Sequence, residues 1–343
     1  MPDPLASSGL LSKLRLLFDR FTLALITVVA VATILPVHGQ GALFFEHATT
    51  AAIALLFFLH GAKLSRRAII EGAMHWRLHG VIFIWTFVVF PLLGWALGPL
   101  LRPLLGEALY MGVIYLCVLP GTVQSAIAFT SIARGNIPAA VCAASASSIL
   151  GIVLTPLLLQ LLLQTDTSVL GGSASLLDAI GEIGLQIFLP FVVGHLMRPL
   201  IGGWMSTRAS LVRAVDQGSI LLVVYTAFSA SVVAGLWKSV GFSALSWLVL
   251  VCILLLAIVL SLVTWSTRRM GFSREDEITI VFCSSKKSLA NGVPMAGVLF
   301  GTAVIGPVLL PLMLFHQIQL MVCAVLAQHY LRQDVESTTS LPG

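Results

Sequence analysis

Charge is scarce in this chain. Only 10% of its 343 residues are Asp, Glu, Lys or Arg, against about 25% in a soluble domain, and 58% are hydrophobic. That balance excludes a water-soluble fold and leaves an integral membrane protein. Cysteine is sparse as well. Cys117, Cys142, Cys252, Cys283 and Cys323 all fall in apolar segments, their number is odd and no C-x-x-C occurs. Neither a disulfide framework nor a zinc site is indicated. No run interleaves basic with aromatic residues, so the net charge of +5 implies no nucleic-acid partner. The N-terminal "MPDPLASSGLLSKLRLLFDR" lacks a small-residue cleavage site behind a short apolar core, and reads as a cytoplasmic lead-in rather than a signal peptide. Asparagine occurs only twice, at Asn136 and Asn291.

What is present is a series of long apolar runs. A helix needs about 20 apolar residues to cross a bilayer, and lipid-exposed strand or coil leaves its backbone unsatisfied. The expected fold is therefore all-α, with ten spans at 21–37, 49–62, 78–98, 108–133, 138–163, 177–197, 214–235, 243–265, 277–300 and 306–330. With the N-terminus inside, fifteen of the nineteen Lys and Arg residues fall in inside loops, and only Arg102 and Lys238 fall outside. The alternation predicts a cell-membrane protein with both termini cytoplasmic.

The fourth and ninth spans look alike. "CVLPGTVQSAIAFTSIARGN" starts at Cys117 and "CSSKKSLANGVPMAGVLFGT" at Cys283. At an offset of 166, Thr122 faces Ser288, Ser125 faces Asn291 and Gly135 faces Gly301. That offset is close to half the chain, which divides it into residues 1–165 and 166–343 of one transporter unit. Five spans per half is an odd number, so the second repeat is inverted. Inverted repeats whose matching spans are polar and interrupted by Gly or Pro point to the midplane site of a secondary transporter. Pro120 removes a backbone donor and Gly121 loosens the chain. Thr122, Gln124 and Ser125 follow. In the ninth span Ser284, Ser285, Ser288 and Asn291 offer similar groups, with Gly292 and Pro294 behind them.

The remaining two basic residues, Lys286 and Lys287, lie mid-span, where a charge costs about 2.5–3.5 kcal/mol. Two readings stay open. They serve the site, by binding an anion, replacing a cation or carrying protons, or they are structural. Acidic partners are few. Asp178, Glu182 and Gln186 share a helical face on the sixth span. Asp216 opens the seventh span at its cytoplasmic edge, as a cap or facing water. Glu275, Asp276 and Glu277 suit the N-terminus of a helix. His316 and Gln317, in "FHQIQ", place polar groups inside the tenth span and join Thr86, Thr130 and Ser145 as outer residues of the site. His60, His79 and His195 sit near span ends, where they anchor interfaces.

"PGTVQSAIAFTSIARGN" and "CSSKKSLANGVPMAG" resemble the bile acid:sodium symporter superfamily, and within it the bacterial branch related to solute carrier family 10 member 7. The resemblance covers residues 21–330. It implies two inverted five-helix repeats arranged as a panel (helices 1, 2, 6 and 7) and a core, with broken helices 4 and 9 crossing beside the cavity. It implies a bacterial inner-membrane location, an amphipathic organic anion as solute, and no cofactor beyond a coupling ion. The chain departs from the resemblance at the sodium ligands. Ser285 stands where the family glutamate belongs, Ala140 and Ala144 replace hydroxyl residues, and Thr86 replaces a glutamine. Sodium or proton coupling stays open, as does an oxygen site at Ser145, Ser147 and Ser148. Secondary transport is the main reading. A non-transporting regulatory membrane protein is the alternative, and an intramembrane Ser-Lys hydrolase built on Ser284, Ser285 or Ser288 a further one.

Overall fold

The structure is a computed structural model and describes residues 20–63, 75–163, 181, 184–300 and 304–339. Among them all regular structure is helical: α1 (Arg20–Ile34), α2 (Gln40–Lys63), α3 (Trp76–Ala96), α4 (Gly98–Leu105), α5 (Glu107–Val118), α6 (Gln124–Ile132), α7 (Ile137–Leu163), α8 (Leu185–Thr207), α9 (Ala209–Val233), α10 (Leu236–Ser239), α11 (Phe242–Arg269), α12 (Arg274–Ser284), α13 (Leu289–Leu299) and α14 (Ile305–Thr339). Seven of these, α2, α3, α7, α8, α9, α11 and α14, are long and apolar enough to cross a membrane.

The other three expected spans have local reasons for not standing with them. α1 is short. The fourth and ninth are each cut into two pieces, α5 with α6 and α12 with α13, and none of these pieces exceeds 12 residues. The second span begins at Gln40, nine residues before the expected start, because a helix end outside the hydrocarbon tolerates Glu46 and His47. Asp178, Glu182 and Gly301 lie outside the described residues.

Large exposed apolar side chains such as Ile253, Leu254, Ile258 and Leu262 on α11 form a lipid-facing surface. The interior is centred on α5, where every residue from Leu109 to Val118 is buried. α14 and α7 pack on it. A separate contact joins α2 to α8. A Cβ added at Gly61 would strike the Phe191 carbonyl, and one at Gly194 would strike the Phe58 carbonyl. Two glycines thus let two backbones touch, the packing that membrane helices use where apolar burial gives no drive. α12 begins as its sequence predicts: Ser273 accepts from the Asp276 N–H at 3.2 Å, and Glu275, Asp276 and Glu277 fill the first turn.

Candidate functional site

The two interruptions meet. Ser288 N–H donates to the Pro120 carbonyl at 3.0 Å. The Gly121 N–H donates to Ser147 Oγ at 3.0 Å. A Cβ at Gly121 would lie 3.0 Å from the Cys283 carbonyl oxygen, closer than nearly all real Cβ contacts. Glycine is required there because backbone passes backbone. Tyr115 closes the other side, its hydroxyl donating to the Gly292 carbonyl at 2.6 Å. The segments echo one another locally. Ser288 Oγ accepts from Asn291 N–H at 3.1 Å, three residues on, and Thr122 Oγ pairs with Ser125 Oγ at 2.8 Å over the same spacing.

A helix that stops inside a membrane leaves carbonyls without donors. At the end of α5, Val118 O takes the Thr155 hydroxyl at 3.0 Å. Cys117 O and Leu119 O both take the Lys287 ammonium, at 2.8 Å each. The third ligand of that ammonium is Thr86 O, at 2.9 Å. Its availability has a sequence cause. α3 widens into a π turn over Trp85–Val89, in which Phe90 N–H reaches Trp85 O. The next residue in that register is Pro91, which has no N–H for Thr86 O. Phe90 lies over the ammonium, with 4.2 Å from Nζ to the ring centroid. Lys287 is fully buried, and its charge sits at the C-terminal, electronegative end of α5.

Lys286 is also fully buried and points another way. Its ammonium donates to Ser125 O at 2.8 Å and lies 4.2 Å and 5.1 Å from the ring centroids of Phe129 and Phe282. The unwound backbone of Lys287 is held by Gln319 of α14. Gln319 Oε1 accepts from Lys287 N–H at 2.8 Å, and Nε2 donates to Lys287 O at 2.9 Å. The same Nε2 lies 2.9 Å from His316 Nδ1.

Two cavities open beside the crossing. One, of about 260 Å³, is lined by His60, Lys63, Gln124, Ser145, Ser148 and Asn291 among others. The second, of about 320 Å³, is lined by His60, Thr122, Gln124, Ser125, Asp216, Ser288, Asn291 and His316 among others.

The chain matches the SBF-like CPA transporter family over residues 19–332. The chain belongs to this family. It is 58% identical over 322 residues to the Escherichia coli protein named Putative symporter YfeH, covering 94% of this chain and 95% of that one. It is 59% identical over 331 residues to an uncharacterized protein of Pseudomonas aeruginosa, covering 96% and 98%. Sodium/bile acid cotransporter 7 of Xenopus tropicalis is 30% identical over 324 residues, covering 93% and 92%. The family is one of multi-pass membrane transporters, so a transported solute and a bilayer are the partners that membership implies. The relatives that carry functional names are named as transporters, Putative symporter YfeH and Sodium/bile acid cotransporter 7, and not as enzymes.

In this transporter the expected site residues divide into two sets. Thr122, Gln124, Ser125, Ser288 and Asn291 come together on cavity walls with His316, and Ser145 joins Gln124 and Asn291 in the smaller one. Ser284, Ser285, Thr86 and Thr130 are buried in the protein and are not among the lining residues, and neither is the partly buried Gln317. Ser285 Oγ is spent on Val281 O at 2.7 Å. Neither lysine lines these two cavities: the Lys287 ammonium is taken by carbonyls left open at the end of α5 and in the π turn of α3, and that of Lys286 by Ser125 O in the first turn of α6. Both ammoniums go to carbonyls rather than to a serine hydroxyl, the partner a Ser-Lys hydrolase needs.

Asp216 departs from its expected place. It is buried and ion-paired with Lys63 of α2 rather than capping a helix or facing water. A span-edge acid finds a partner when the C-terminal turn of a neighbouring helix brings a lysine beside it. His60, expected at an interface, lines both cavities. Sequence reasoning missed Gln319, Lys63 and the three aromatic rings of Phe90, Phe129 and Phe282. The signal for Gln319 lay in "FHQIQ": His316 and Gln319, three apart, share a helix face that Gln317 does not.

Proposed function

We infer that the chain is a secondary active transporter that moves a small organic anion by alternating access, with no strict need for sodium. The arrangement inferred is ten spans in two inverted five-helix repeats, residues 1–165 and 166–343, in the bacterial inner membrane with both termini cytoplasmic. Broken spans four and nine cross in its core, and that core rocks against a panel. The observation that carries the reading is the seat of Lys287, an ammonium held by three backbone carbonyls where two interrupted helices meet. Interrupted helices at mid-membrane supply transporters with carbonyls for a cation and helix N-termini for a solute. Here a covalently attached cation takes the carbonyls.

Other features support the same reading. At the positions of sodium ligands implied by the family resemblance stand Ser285, Ala140, Ala144 and Thr86, and the two alanines are buried and offer no oxygen side chain. Gln124, Ser125, Ser288 and Asn291 remain on the cavity walls to meet the solute. A relative named a sodium/bile acid cotransporter supports an amphipathic organic anion as cargo. The test is an uptake screen of organic anions in proteoliposomes, run with a sodium gradient, a proton gradient or neither. Saturable uptake of an anion without sodium is the expected result. A screen in which only cations or neutral solutes enter would overturn the reading.

A further inference from the structure

The wall opposite the crossing carries charges that the lysine pair does not explain. Lys63 on α2 and Asp216 on α9 form an ion pair. The Asp216 side chain is 5% exposed and that of Lys63 33%, so the acid is buried and the base reaches open space. Lys63 lines the 260 Å³ cavity and a third one of about 830 Å³. Arg213 and Arg198 line that third cavity too. Arg198 Nη1 also holds Lys63 O at 2.8 Å. Arg213 and Asp216 both line the 320 Å³ cavity at the crossing. Gln124 borders all three, so they share one wall.

Two features point to a ligand. First, three cations stand around these cavities, and Asp216 is the one carboxylate among the lining residues. The surplus is positive, which suits an anion. Second, Asp216 uses only Oδ2 on Lys63. Its Oδ1 is buried and has no hydrogen-bond partner among the described residues. A carboxylate oxygen without a donor in such a setting is costly. A proton on that oxygen removes the buried negative charge, the larger part of the cost, and at the same time dissolves the ion pair.

We propose that Lys63 and Arg213 are the seat for the anionic group of the solute, that Asp216 occupies this seat when solute is absent, and that a proton on Asp216 hands it over. The proposal rests on the transporter reading above and adds the coupling ion to it. One O–H bond forms on Asp216, with the proton drawn from solution. Lys63 keeps its three N–H bonds and exchanges the carboxylate for the sulfonate or carboxylate of the solute. The net charge of the site is unchanged when one proton and one monovalent anion enter together, so the occupied site adds no charge to the membrane interior.

Other ionisable groups face Asp216. They are His60 and Lys63 from α2, Arg213 from α9 itself, and His316 from α14, while Arg198 of α8 lies behind Lys63. α1, α6 and α13 contribute only uncharged residues to the lining of this cavity. The test separates the two histidines from the acid.

The full chain in lipid nanodiscs is titrated with radiolabelled taurocholate, a sulfonate whose own charge does not change between about pH 5 and about pH 8. Wild-type affinity is expected to rise by up to about tenfold per pH unit as pH falls, the slope for one proton taken up with each anion. Asp216→Asn is expected to bind tightly and without pH dependence. The double variant Lys63→Met/Asp216→Asn keeps the net charge of the wild-type site, which protects folding, and is expected to bind at least about tenfold more weakly than Asp216→Asn at every pH. Three results overturn the proposal: a wild-type slope that persists in Asp216→Asn, including one that vanishes only in His60→Gln or His316→Gln; a double variant that binds like Asp216→Asn; and no saturable taurocholate binding to wild type at any pH. The transport reading fails separately. In that case binding follows the scheme but proteoliposomes accumulate nothing.

Discussion

Lys287 is held by more polar contacts than any solute could release cheaply. Three carbonyls depend on its ammonium, and each buried carbonyl left without a donor costs about 1–3 kcal/mol. Lys287→Met is therefore expected to destabilise the protein by more than about 3 kcal/mol. Lys286→Met loses one hydrogen bond to Ser125 O, a carbonyl that α6 itself still pairs, and two ring contacts, a cost of about 1–3 kcal/mol. Thermal unfolding of both variants in the same detergent checks the order, and equal midpoints would refute it. Part of this was legible in the chain. Two lysines in mid-span, with a Pro-Gly break in the matching span, already point to backbone carbonyls as partners. Which carbonyls was not legible. Thr86 O is available only through a π turn followed by Pro91, and nothing in "WTFVVFP" as a string shows that the turn widens. The Lys63–Asp216 pair was hidden for another reason. Its members are 153 residues apart, and each has a sufficient local explanation at a span edge.

At the scale of helices, apolar run length marked most spans, and Pro120, Gly121 and the serines around Lys286 marked the two breaks. Helix ends were less legible, because length beyond the hydrocarbon is set by caps and neighbours rather than by hydropathy. The contact between α2 and α8 was not legible. Gly61 and Gly194 are unremarkable in sequence, yet each lies against the backbone of the other helix. Gly61→Ala must push α2 from α8 and is expected to cost about 1–3 kcal/mol or prevent folding. Gly218→Ala, on α9, is the control, since a Cβ there meets nothing within 4 Å. Removing a helical glycine should stabilise by about 0.5–1 kcal/mol. Fluorescence-detected size exclusion after graded heating measures both, and a Gly61→Ala protein as stable as wild type would show that the close approach is not required.

At the scale of the whole molecule, the interlocked breaks bear on what must move and what must bind. Ser288 N–H on Pro120 O and Lys287 on two α5 carbonyls bind the halves of the crossing to each other. In the alternating-access scheme proposed above, the crossing moves as one body against the wall bearing Lys63 and Asp216. A transporter that binds sodium at its crossing gains affinity for the ion only if the carbonyls are vacant. Here an ammonium fills them permanently at 2.8–2.9 Å, and a second cation placed among the same oxygens would meet direct repulsion in a medium of low dielectric. Replacement of sodium by choline on both sides of the membrane is therefore expected to leave the initial rate of anion uptake within about twofold of its value in sodium, a difference under about 0.5 kcal/mol. Imposing an inward proton gradient under choline should raise the rate severalfold, and Asp216→Asn should abolish that rise while leaving exchange of labelled for unlabelled anion intact. Uptake that collapses in choline and saturates with added sodium would mean that the cation site lies elsewhere, at oxygens such as those of Ser145, Ser147 and Ser148, and that the Lys287 ammonium does not take its place.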